Sequence, residues 1–228
     1  MKHSGSRALI YSFFLVATLS LAHAQASQSF APATPPALTT PASSGAAATY
    51  KIDAGQSRFM VKAFAGGFLS ALAHDHNIAI REFDGEVHFT FDTVEPASLQ
   101  LKIRSGSLAV TDKVSASDRQ KIETTMRDEV LEVSKHPEIV FKSTSVSAAR
   151  TGEGKYQARI AGELTLHGVT RPLTITAQLE FGDSVLRARG GFSLKQSSFG
   201  IKPVSVAGGT IKVKDELKFT FEIVARPG

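Results

Sequence analysis

Residues 70–80 read SALAHDHNIAI, with His74 and His76 on either side of Asp75 in an otherwise apolar run. On an extended backbone successive side chains point to opposite faces. Leu72, His74, His76, Ile78 and Ile80 then share one face, and Ala73, Asp75, Asn77, Ala79 and Arg81 share the other. Two imidazoles at this spacing allow three readings. They can ligate one divalent metal ion, as neighbouring histidines on a strand often do. They can hydrogen-bond a polar head group at the mouth of a pocket. They can also be satisfied packing histidines that hold a turn and line an interior. A metal site needs a third ligand in phase. The alternation puts His88 on the wet face of its strand, and His167 outward with Glu163 and Thr165.

Other chemistry is weakly represented. No serine sits in a G-x-S-x-G elbow, and no glycine-rich phosphate loop precedes a helix. Asp112, Asp118 and Asp128 read as a turn and a solvated helix face rather than a paired-carboxylate site. The chain has no cysteine, which excludes disulfides, thiolate ligands and an acylated-cysteine anchor. The expectation is a binding protein without catalytic activity and without a cofactor.

The elements that must position these residues have a period of two. In IKVKDELKFTFEI, Ile211, Val213, Leu217, Phe219, Phe221 and Ile223 share a face, and only Asp215 interrupts it. The same alternation runs through Val87–Phe91, Leu99–Ile103, Tyr156–Leu166, Leu173–Leu179 and Leu186–Leu194, and more weakly near Tyr50–Phe64 and Ile139–Val146. With His76–Phe91 as one bent strand the total is eight. Eight antiparallel strands can close into a barrel, which removes exposed edges and leaves an interior that is filled or holds one small ligand. Ala158, Gly162, Ala177, Ala188 and Gly190 are small inward residues that leave room. The fold class expected is all-β, an eight-stranded antiparallel barrel with one packed helix.

The helix lies in SDRQKIETTMRDEVLEV, with Ser117 as N-cap and Gln120 completing a capping box. Ile122, Met126 and Val130 form its apolar stripe, which packs over the barrel or across its mouth. His136-Pro137 ends it. Candidate lumen residues are Phe59, Val61, His74, His76, Phe89, Phe91, Leu101, Ile103, Phe141, Leu164, Phe192, Phe219 and Phe221.

The first 24 residues carry Lys2 and Arg7, an apolar run from Ala8 to Ala22, and small residues at Ala22 and Ala24. They read as a secretory signal peptide cleaved after Ala24, leaving no stable membrane span. Residues 25–48 contain four prolines and no charge, the composition of a disordered linker. Residues 49–228 suit one domain. Without Lys2 and Arg7, the 26 basic side chains fall to 24 against 21 acidic ones, a net charge of +3 that is too mild to argue for nucleic acid.

Four segments carry a resemblance. YKIDAGQSRFMVKA (Tyr50–Ala63), REFDGEVHFTFD (Arg81–Asp92), MRDEVLEVSKHPEIVFKSTSV (Met126–Val146) and, most specifically, GELTLHGVTRPLTI (Gly162–Ile175) resemble the YceI-like family of exported, polyisoprenoid-binding bacterial proteins. The AHDH stretch departs from that family's common pattern. The resemblance implies a lipocalin-like barrel whose long lumen takes an isoprenoid or other long-chain amphiphile, in a periplasmic or secreted protein.

Overall fold

The computed structural model describes residues 46–67, 74–91 and 93–228. The signal-peptide reading, the linker reading up to residue 45, and Leu72 and Ala73 lie outside the described residues; Ala47 and Ala48, read as the end of the linker, are instead the first residues of a strand. Twelve strand segments follow one another: β1 (Ala47–Ile52), β2 (Arg58–Gly66), β3 (His76–Ile80), β4 (Phe83–Thr90), β5 (Val94–Arg104), β6 (Leu108–Val110), β7 (Glu138–Gly152), β8 (Lys155–Leu166), β9 (Val169–Gly182), β10 (Val185–Lys195), β11 (Ser205–Val206) and β12 (Ile211–Pro227). One α-helix, α1 (Ala116–Thr125), runs on into a π-helical turn at Met126–Val130.

Twelve segments make eight barrel strands because three strands are bent and the two-residue β11 lies off the barrel path, paired with β12. β1 and β2 lie end to end along β12, through Tyr50 opposite Pro227 and Phe59 opposite Phe221. β3 and β4 continue one another against β2 and β1, and β5 and β6 against β4 and β3. The bends sit side by side. Arg104 N–H donates to the Glu82 carbonyl (3.0 Å), and Arg81 N–H donates to that of Ser107 (3.3 Å). From there β5, β7, β8, β9, β10 and β12 pair in turn, and β1 returns to β12 to close the sheet. All pairs are antiparallel, and the β1–β12 pairing joins edges that an open sheet would expose, while among the described residues β6 pairs with β3 alone.

The alternation read from the sequence is the alternation found. In β12 the odd-numbered residues from Ile211 to Ile223 are half-buried and the even-numbered ones exposed. Asp215, the polar interruption, lies where the β2–β12 register shifts between Val213 and Leu217. Its carboxylate accepts from Ser197 N–H (2.7 Å) and Ser197 Oγ–H (2.6 Å), so it caps the 3-10 turn after β10.

Three expectations are corrected here. The helix is capped by Ser115, not Ser117. Ser115 Oγ accepts from Asp118 N–H (3.1 Å), and the Asp118 carboxylate accepts from the Ser115 hydroxyl (2.7 Å), a box that Ser117 cannot form with Gln120 once α1 starts at Ala116. The helical segment ends at Val130, not at His136-Pro137, because Glu132 turns to φ +43°. Gly162 and Gly190 do not open the lumen. A Cβ at Gly162 would meet the Phe141 ring at 2.6 Å, and one at Gly190 the Phe221 ring at 2.7 Å, so the missing side chains are replaced by phenyl rings.

Candidate functional site

The barrel encloses a cavity of about 430 Å³, within the ordinary range for small-molecule sites. Its wall is almost wholly apolar. Phe59, Val61, Phe89, Leu101, Ile103, Phe141, Leu164, Phe192, Phe219 and Phe221 all face it, as do Ala158, Ala177 and Ala188. Rings organise the wall: Phe192 and Phe219 stack at 4.6 Å and 4°, and Phe59 meets Phe219 and Phe221 edge-on.

The two ends differ. Where β1 begins and β12 ends, Tyr50, Phe89, Tyr156 and Phe181 pack ring on ring, with centroids 5.0–5.8 Å apart along the chain of contacts. Tyr50 and Phe89 are buried, and Phe89 and Phe181 form the cavity floor. At the opposite end Ile122, Thr125, Met126 and Val130 from α1 and the π-helical turn face the cavity, so the helix lies across the mouth. Among the described residues five polar ones line the wall: His76, Lys121, Thr125 and Gln196 belong to this end and Ser98 lies deeper.

His76 is the histidine of the AHDH stretch that reaches the cavity. Its Nδ1 lies 3.0 Å from Asp112 Oδ2, and its side chain is 27% exposed. The same carboxylate accepts from Asn77 N–H (3.1 Å) and Asn77 Nδ2–H (2.9 Å). Burial pushes the Asp112 carboxyl up, but the hydrogen bonds from Asn77 and His76 outweigh it, so the group sits below the usual carboxylate range. With an ionised acceptor on Nδ1, that nitrogen carries the proton and Nε2 is left for another partner. Arg119 of α1 donates to the carbonyls of Val110 (2.7 Å) and Asp112 (3.0 Å), and Val110 N–H donates to Glu123 Oε1 (2.8 Å). The helix across the mouth is therefore tied to the end of β6 and to the Asp112 segment that orients His76.

Two expected lumen residues lie elsewhere. His74 is exposed and precedes β3, so the alternation that turns His76 inward does not govern it. Phe91 is 40% exposed because β4 ends at Thr90, and its ring leans on Phe89 and Tyr50 from outside the cavity. No cluster of three metal-ligating side chains among the described residues includes His74 or His76. Asp75 bonds Ala65 N–H (3.1 Å) and Lys62 (3.3 Å) on the outer side.

His167 is the other correction. It is a turn residue between β8 and β9 at φ +52°, not an outward strand position. Its side chain is 14% exposed, with Nε2 2.9 Å from Glu132 Oε2 and its ring 4.5 Å from that of His136. Asp112, Lys121, Glu132 and His136 were not singled out in sequence as candidate ligand-contacting or metal-ligating residues. The S-x-x-D capping signal at Ser115 would have placed α1, and with it Lys121, correctly.

The family model described as YceI-like domain matches residues 50–225. The chain belongs to that family. A UPF0312 protein of Pseudomonas aeruginosa is 34% identical over 166 residues, covering 68% of this chain and 78% of its own. A UPF0312 protein of Pseudomonas putida is 31% identical over 173 residues, covering 72% and 82%. Among solved structures, BcnA of Burkholderia cenocepacia superposes with a TM-score of 0.57 at 18% identity, covering 76% of this chain and 98% of its own. A polyisoprenoid binding domain from Saccharophagus degradans, described as implicated in plant cell wall breakdown, superposes with a TM-score of 0.55 at 11% identity, covering 78% and 98%. At these identities the structural likenesses establish the barrel fold shared across the family. No helix among the described residues is long and apolar enough to cross a membrane.

Proposed function

We propose that the protein is an exported, non-catalytic carrier that holds the chain of an isoprenoid or similar long amphiphile in the barrel lumen. The observation that carries this reading is the polarity of the cavity: an apolar tube floored by aromatic rings, with most of its few polar side chains gathered at the helix-covered mouth. An amphiphile entering tail first buries its chain against Phe219, Phe221 and Ala177 and leaves its head beside His76 and Lys121. Burying about ten methylene groups contributes roughly 8 kcal/mol gross, and association costs about 4–15 kcal/mol. A short chain therefore binds poorly and a long one well. Membership of the YceI-like domain family, and a structural neighbour named as a polyisoprenoid binding domain, support the same ligand class. The apolar N-terminal run after Lys2 and Arg7 supports export to the periplasm or beyond.

The test is native mass spectrometry with lipid extraction on protein purified from bacterial expression, followed by titration with a long-chain isoprenoid alcohol. The expected result is one long-chain amphiphile per barrel. Ala177→Phe, which pushes a ring into the lumen, is expected to abolish uptake while leaving the far-ultraviolet circular dichroism of the barrel. Wild-type protein that carries no lipid and takes up none of the alcohol refutes the proposal.

A further inference from the structure

Outside the lumen, three chain segments bring Glu132, His136 and His167 together, with one potential ligand atom from each inside a 4.8 Å span. Glu132 follows the π-helical turn, His136 leads into β7, and His167 stands in the β8–β9 turn. None of the three lines the cavity. We propose that these residues form a binding site for one divalent transition-metal ion of the zinc class, with a fourth coordination position open.

The donor set suits that ion. Two imidazoles and one carboxylate are ligands that zinc accepts readily, at about 2.0–2.2 Å. Tetrahedral bonds of that length put ligand atoms roughly 3.4 Å apart. Glu132 Oε2 and His167 Nε2 already stand 2.9 Å apart, so a small spreading of that pair and a small approach of His136 complete the triangle. The metal takes the place of the proton that the pair now shares.

The surroundings hold the ligands in place. The other carboxylate oxygen of Glu132, Oε1, accepts from the Lys135 ammonium, which orients the group and leaves Oε2 for the ion. The His136 ring is seated against Gly168, where a Cβ would meet its Cε1 at 2.8 Å, so only glycine at this φ +74° turn position admits the ring. Among the described residues no hydrogen bond to the His136 side chain is found, whereas its ring faces that of His167 at 4.5 Å. An imidazole brought against a carboxylate-bound imidazole with no hydrogen bond of its own is available as a ligand. Partial exposure of all three residues provides an entry path.

The test is calorimetric titration of chelator-stripped protein with zinc chloride, with stoichiometry from native mass spectrometry and cobalt(II) absorption as a report on tetrahedral geometry. One ion per chain is expected. His136→Ala and Glu132→Gln are each expected to weaken zinc binding by about tenfold or more, and His74→Ala to leave it unchanged. His136→Ala removes no hydrogen bond that the fold uses, so its folding can be checked separately from its metal affinity. Absence of saturable zinc uptake by the wild type, uptake unchanged in His136→Ala, or uptake lost in His74→Ala overturns the proposal. None of these readouts depends on lipid in the lumen.

Discussion

His76 Nδ1 and Asp112 Oδ2 lie 3.0 Å apart and join the start of β3 to the segment that leads into α1. The bond settles which imidazole nitrogen faces the cavity mouth, and Asn77 shares the same carboxylate through its N–H and its side-chain amide. Asp112→Ala should therefore lower stability by on the order of 1 kcal/mol, read from urea unfolding. It should also let the His76 ring rotate, seen as loss of a single tautomer signature in nitrogen NMR. An unchanged imidazole spectrum would show that Asp112 does not orient the ring.

Acid should weaken the fold in a defined direction. The Asp112 carboxyl is held below its ordinary range, burial opposing and the Asn77 and His76 hydrogen bonds prevailing, and the Asp215 carboxyl is held low by Ser197. A folded-state pKa below the unfolded one gives stability that is complete above the ordinary carboxylate range. That stability is lost as pH falls through this range toward the lowered folded values. Urea midpoints measured from about pH 7 down to about pH 3 should fall accordingly. Asp215→Asn should flatten part of that decline.

The helix across the mouth is anchored mainly by Arg119 and Glu123 to Val110 and Asp112. Arg119→Ala removes two bonds to backbone carbonyls and touches no barrel ladder. Amides of residues 116–130 should exchange with deuterium faster, while amides of β8 and β9 keep their protection. Equal acceleration in both regions would mean that the helix opens only when the whole barrel unfolds.

Gly190→Ala places a methyl 2.4 Å from the Thr176 carbonyl oxygen and 2.7 Å from the Phe221 ring. The backbone oxygen cannot yield without disturbing the β9–β10 ladder. A loss of about 1–3 kcal/mol is expected in denaturant unfolding. Gly182→Ala, with nothing within 4 Å of the added methyl, serves as the control and should change stability little.

Much of the barrel was legible beforehand because strand alternation is a local property. Each of Phe59, Phe141, Phe219 and Phe221 faces inward because its neighbours on the chain face outward, and ten of the apolar candidates reach the wall for that reason. The rule fails where the strand stops, which is why His74, Phe91 and His167 were misplaced: all three lie beyond a strand end.

The order of residues alone determined the all-β class, the eight-strand count, the inward faces and the single helix, since each follows from periodicity within one segment. Tertiary structure decided which end of the tube is floored by rings and which is covered by α1. It also decided that Gly162 and Gly190 admit phenyl rings, and that Asp112 serves His76. The meeting of Glu132 and His136 with His167, 31 residues further on, depended on it as well. Those outcomes depend on distances between segments far apart in the chain, which are set only when β1 pairs with β12 and the sheet closes.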